Sequence, residues 1–184
     1  GKNIEEEGSS LEKSLAIPSE PIDNFVYENP GSFPFIKANK KWGIEYEGFS
    51  NGVVYADLDN DGDLEIVTNN IDDYVSIFEN TSSEKSNFLQ LSFKGSEKNP
   101  NGLGVRAYIK ANDQEQMQEL TLTRGFQSSV SPRMHFGLGQ TTEIEQIRIL
   151  WPDGKEQKFS NPKVNQHITI NYEDANFIPV HPIL

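Results

Sequence analysis

Between residues 88 and 172 apolar side chains recur at every second position in short runs, and no stretch there keeps a helical period. In Leu89-Gln90-Leu91-Ser92-Phe93 the odd positions are apolar, and so are Ile147, Ile149 and Trp151. A period of two places alternate side chains on opposite faces of an extended chain. One face is then expected to be buried and the other wet, as in antiparallel sheets. Runs 88–94, 105–111, 116–123, 144–151, 156–159 and 167–172 are the candidate strands. Pro152-Asp153-Gly154 has tight-turn chemistry and predicts a hairpin joining 144–151 to 156–159. Strands so spaced predict a sandwich or barrel over residues 86–174, with Leu89, Leu91, Phe93, Ile147, Ile149 and Trp151 lining one core and helix nearly absent.

Upstream the texture differs. Residues 1–22 are charged and rich in Ser and Pro, which predicts a linker with one loose helical turn around residues 10–15. From Asp23 short β-like runs follow at 25–27, 52–56, 64–68 and 74–78, too few for an independent sheet fold. They read as one unit of a larger repeat. The expected organisation is therefore a linker (1–22), a β repeat (23–82), a β-sandwich (83–174) and a C-terminal tail (175–184). The expected fold is all-β, a single propeller-blade-like unit packed against an antiparallel sandwich.

The link between the second and third of those runs carries DLDNDGDLE, residues 57–65, with carboxylates at Asp57, Asp59, Asp61, Asp63 and Glu65. Like charges so close oppose folding unless a cation sits among them. The carboxylates fall at loop positions 1, 3, 5 and 9, where a calcium loop takes side-chain oxygens, and Gly62 stands at position 6, where the chain must turn sharply. Asp63, at position 7, is expected to ligate through its main-chain carbonyl. Oxygen donors without His or Cys select Ca²⁺ or Mg²⁺, and the crowding favours the larger Ca²⁺. The loop is not an EF-hand: position 12 is Thr68 rather than Glu, and the flanks are β-like. Glu65 must then supply the closing carboxylate. The competing reading is an ordinary acidic turn.

A resemblance rests on these residues. SNGVVYADLDNDGDLEIVTNN (50–70), preceded by NFVYENPGSFPF (24–35), resembles the FG-GAP/VCBS repeat of integrin-type β-propellers. NFLQLSFKG, NGLGVRAYIK, RGFQSSVSPRMHFGLGQ and IEQIRILWPDGKEQ, within 87–173, resemble the ASPIC/UnbV domain that ends proteins similar to cartilage acidic protein. The resemblance implies Ca²⁺ ligation by Asp57, Asp59, Asp61 and Glu65, with Asp63 at the backbone position. It also implies an extracellular or cell-surface setting and no enzymatic activity. Such proteins carry several repeats and this chain shows one. It is thus expected to be either the C-terminal part of a propeller protein or a lone blade on a sandwich, with any export signal preceding Gly1.

Composition excludes several function classes. The formal net charge of −12 provides no basic stripe for nucleic acid, and no apolar run approaches the length of a membrane span. With no cysteine there is no disulfide, thiol catalysis or thiolate metal site. Gly102-Leu103-Gly104 lacks the third glycine and following helix of a nucleotide loop, so it reads as a hairpin turn. His135, His167 and His181 share no metal-like spacing, and Ser128 and Ser129 lack a nucleophile elbow. No catalytic constellation emerges. Asn80-Thr81-Ser82 is a glycosylation sequon only in a eukaryotic secretory route. Arg124, Phe126 and Arg133 place two guanidinium groups and an aromatic near one loop. They are either a structural loop paired with local carboxylates or an exposed rim contacting a glycan or acidic peptide. The function expected is a secreted or cell-surface, calcium-binding adhesion module that engages a protein or glycan ligand. The alternative is a carbohydrate-binding accessory domain of a polysaccharide-processing system.

Overall fold

A computed structural model describes Ser14 and residues 16–177 and is nearly all β. Of the helical turn expected around residues 10–15, only Ser14 lies within the described residues, and its backbone is helical. The chain divides into two compact units, one formed by residues 1–50 with 70–73, the other by 51–69 with 74–184. No helix among the described residues is long and apolar enough to cross a membrane.

The first unit is built from two-residue pairs. Strand β1 (Ile22–Asp23) pairs with β4 (Glu47–Gly48), and β2 (Tyr27–Glu28) pairs with β3 (Ile36–Lys37), both antiparallel. One helical turn, α1 (Asn39–Trp42), ends at Gly43 in the left-handed conformation that glycine adopts without strain. Buried Asn39 holds these pieces: its Oδ1 accepts from the Val26 amide at 3.1 Å, and its Nδ2 donates to the Ile44 carbonyl at 2.9 Å.

The second unit holds three sheets. Strands β5 (Ser50–Ala56), β6 (Glu65–Asn70) and β7 (Ser76–Phe78) form one, and the acidic loop is the β5–β6 connection. The other two are a three-stranded sheet, in order β11 (Arg133–Gly139), β8 (Asn87–Lys94), β14 (Gln166–Asn171), and a five-stranded sheet. The latter runs β10 (Gln114–Glu119), β9 (Arg106–Ala111), β12 (Gln146–Leu150), β13 (Lys155–Ser160), β15 (Asn176–Phe177). These two share one apolar core, in which all six residues named from the alternation are buried. The same core takes in Met134, Phe136 and Leu138 of β11, Val105, Ala107 and Ile109, and Ile170. The hairpin at Trp151–Lys155 forms as expected: β12 pairs with β13, and the Gly154 amide donates to the Trp151 carbonyl at 2.9 Å.

Besides strand β11, which none of the expected runs covers, three features depart from expectation. Strand β14 runs parallel to β8, so the smaller sheet is mixed; its connection crosses through the other sheet rather than by a hairpin. Residues 176–177, placed in the tail, pair with Lys155–Glu156 as an edge strand. Finally, Gln90, expected on the wet face of β8, is 3% exposed.

One prediction arises in the turn after β8. A Cβ on Gly95 would stand 1.9 Å from the Asn99 carbonyl oxygen, and the Gly95 amide itself donates to the Pro100 carbonyl. Backbone cannot yield as a side chain does, so Gly95→Ala should cost about 1–3 kcal/mol in urea unfolding. An unchanged midpoint would refute this close approach.

Candidate metal centre

The alternating Asp pattern builds the acidic loop from within. The Asp61 amide donates to Asp59 Oδ1 at 3.2 Å, and the Asp63 amide donates to Asp61 Oδ1 at 3.0 Å. Each aspartate thus caps an amide two residues on, the local bond that favours Asp and Asn in turns. Asn60 (φ 63°) and Gly62 (φ 97°) supply the left-handed backbone that curls the chain. Asp57, Asp59 and Asp61 each offer a carboxylate oxygen, all within 4.8 Å of one another, and this cluster could hold a metal ion.

Asp63 and Glu65 lie deeper, each 4% exposed. Asp63 Oδ2 accepts from the Ser83 amide at 2.8 Å and from the Ser82 hydroxyl at 3.4 Å, and Glu65 Oε2 accepts from the Leu58 amide at 2.7 Å. The second oxygen in each case, Asp63 Oδ1 and Glu65 Oε1, is buried without a hydrogen-bond partner among the described residues, as is Asp57 Oδ1. One oxygen tied and one bare recurs at all three carboxylates. Burial pushes the Glu65 carboxyl above its ordinary value; the Asp63 carboxyl and the Asp59 charge add to this, against the Leu58 amide. The Ser83 hydroxyl first, and then the Asp63 amide, hold the Asp61 carboxyl below the ordinary range. A buried acceptor left unpaired costs about 1–3 kcal/mol, and more when charged. Asp57, Asp59 and Asp61 form an all-oxygen donor set suited to a hard divalent cation, and the Asp63 and Glu65 carboxylates are not part of that convergent group. The donor chemistry fits Ca²⁺.

The loop rests on the outer face of β8 and β11. Gly62 lies against the Phe88 ring, and a Cβ there would stand 1.9 Å from Phe88 Cε1. His135 of β11 stacks on the same ring, with centroids 6.1 Å apart. Its Nδ1 is buried without a partner; burial pushes the imidazole below its ordinary value, and the Asp57 and Asp63 charges act the other way. The Gln90 Nε2 donates to Asp57 Oδ2 at 2.6 Å, which explains why a residue on the outer face of β8 is buried. Spacing within β8 marks Gln90 as outward-facing but carries no sign of a loop thirty-three residues earlier covering it.

The remaining expected site residues are not brought together. Arg124 turns to Tyr55: its Nε donates to the phenol oxygen at 2.8 Å, and its guanidinium lies 5.6 Å from the ring centroid. Arg133 donates to Gln90 Oε1 at 3.0 Å. Neither guanidinium is paired with a carboxylate in these bonds. Phe126, 68% exposed, lines a cavity of about 320 Å³ with Asn51, Asn69, Gln127, Ser128 and Ser129, and the lining includes neither arginine. His167 bonds Ser92 at 2.7 Å, and His181 lies outside the described residues.

Residues 95–177 match the family model for ASPIC and UnbV. The match runs from the turn after β8 to β15 and so covers most of the two-sheet core, while the acidic loop lies upstream of it. No curated protein matches the chain.

Proposed function

We propose that this chain is a calcium-binding interaction module of the extracellular space or cell surface, in which the ion is structural and nothing is catalysed. The observation that carries this reading is the Asp57–Asp59–Asp61 cluster, in which Asp57 Oδ1 is buried and bare. Asp57, Asp59, Asp61 and Glu65 would hold the ion; Asp63 adds a buried carboxylate as well as the main-chain oxygen expected of it. The positive charge would relieve repulsion in the loop and fix its position over β8 and β11. The ASPIC and UnbV match supports an interaction role, and the loop pattern supports an FG-GAP/VCBS-type repeat upstream of it. The partner of such a module is a protein or glycan ligand.

The test is thermal unfolding of metal-stripped protein with chelator, Mg²⁺ or Ca²⁺. Binding to the folded state alone stabilises by about 2.7 kcal/mol at a hundredfold excess over Kd, or about 5–10 °C in Tm for a chain of this size. Ca²⁺ should restore what chelation removes and do so better than Mg²⁺, and Asp59→Ala should abolish most of the response. Identical curves in all three conditions would make the loop an ordinary acidic turn.

A second reading draws on the cavity beside Phe126. Its lining is wholly uncharged in a strongly acidic chain, with amides, hydroxyls and an exposed aromatic. That chemistry suits a neutral sugar ring and favours a carbohydrate-binding accessory role. A glycan array probed with wild type and Phe126→Ala separates the readings: hits lost in the variant support the accessory role, and no hits leave the adhesion reading.

A further inference from the structure

We propose that Gln90 and Arg133 are positioning residues for the metal centre, a two-bond relay through which the sandwich sets the affinity of the acidic loop. The inference rests on the calcium reading above and deepens it. Gln90 is 3% exposed on the outer face of β8, and both ends of its amide are engaged. Nε2 donates to Asp57 Oδ2 at 2.6 Å, and Oε1 accepts from Arg133 at 3.0 Å. Arginine has only donors, so it can bond the amide through oxygen alone. It therefore orients the glutamine with N–H toward Asp57. The flipped amide would set oxygen against carboxylate and N–H against guanidinium, two repulsive contacts.

The consequence falls on Asp57. With Oδ2 held by Gln90, Oδ1 remains as the oxygen without a partner, so the first carboxylate of the loop keeps one orientation and one donor atom for the cation. Arg133 and Gln90 come from neighbouring strands, β11 and β8, whose inner faces form the core. A loop that must otherwise order its own charges is pre-shaped by the sheet beneath it, and pre-shaping raises affinity by cutting the ordering cost.

The sign of one effect separates this role from simple electrostatics. If Arg133 acted only as a positive charge near a cation site, removing it would tighten Ca²⁺ binding. Acting through Gln90, its removal weakens binding. The experiment is calorimetric titration of the metal-stripped full chain with CaCl₂. Gln90→Leu should raise Kd about 10- to 100-fold, the range for residues that orient metal ligands. Arg133→Met should raise it about 10-fold, with much of the loss recovered in Arg133→Lys, which keeps a donor for the amide oxygen. Ile149→Val, a destabilising core change away from the loop, should leave Kd within about twofold. If Gln90→Leu does not fold, the Arg133 pair decides. Unchanged or tighter binding in Arg133→Met, or equal loss in the Ile149 control, overturns the relay. Absence of Ca²⁺ binding by wild type overturns the calcium reading itself.

Discussion

Trp151→Ala should lower the stability of the sandwich by about 3–5 kcal/mol, the usual cost of truncating a fully buried aromatic. The side chain is 2% exposed and is held on three sides. Phe93 meets it edge-on at 5.7 Å, Tyr172 meets it edge-on at 5.1 Å, and its indole N–H donates to Gln157 Oε1 at 2.8 Å. Gln157 in turn donates to the Asn171 carbonyl at 3.0 Å. That relay runs from the five-stranded sheet to β14 of the other sheet, so truncation leaves both a cavity and an unpaired buried amide oxygen. Trp151→Phe should fall between, since it fills part of the space but still leaves Gln157 without its donor. Guanidinium unfolding followed by circular dichroism measures both. A loss under about 1 kcal/mol for the alanine variant would show that the two sheets do not close on this residue.

The same residues show what the sequence can and cannot convey. Alternation in β8 and around Ile147–Trp151 is a local signal, and the burial of Leu89, Leu91, Phe93, Ile147, Ile149 and Trp151 follows from it directly. Strand β11 carries the same alternation, with Met134, Phe136 and Leu138 buried. Its two glycines, Gly137 and Gly139, disguise it as turn chemistry, and the register shifts between them. The contacts that Gln90, Arg133 and His135 make are hidden from the sequence for another reason. Their roles depend on which outer face the acidic loop covers, and that is settled by pairings between residues tens of positions apart. Likewise nothing local distinguishes β14 running parallel to β8 from a hairpin partner.

The loop itself was legible as a carboxylate pattern, because Asp-x-Asp-x-Asp-Gly is local chemistry. What the pattern leaves out is depth. Spacing alone gives Asp63 a backbone role, whereas folding buries its side chain, with Oδ2 accepting from the Ser83 amide and the Ser82 hydroxyl and Oδ1 bare. Arg124 shows the reverse case: an arginine that composition offers for an outside ligand is taken by Tyr55 within the fold.

Gly62→Ala should combine two penalties at one atom. Its φ of 97° lies where side-chain-bearing residues are rarely found, costing about 1–3 kcal/mol. The added methyl would also stand 1.9 Å from Phe88 Cε1 and 2.2 Å from Cζ. The ring is also stacked with His135, with planes 13° apart, so retreat would disturb that contact. Overpacking of this kind costs about 1–3 kcal/mol more. The variant is therefore expected to lose about 2–6 kcal/mol, unless the loop lifts off the sheet, in which case Asp57 leaves Gln90 and the carboxylates lose their shared geometry. Only the lifting route would end a rise in Tm on adding Ca²⁺, since it alone disperses the Asp57–Asp59–Asp61 cluster. Phe88→Ala in the same chain separates the two penalties: with the ring gone the methyl has room, the overpacking cost disappears and only backbone strain persists. The double variant should accordingly lose less than the sum of the two single changes, a coupling expected only of groups in contact. Strictly additive losses in a urea double-mutant cycle would show that the turn of the loop does not lie on the Phe88 ring.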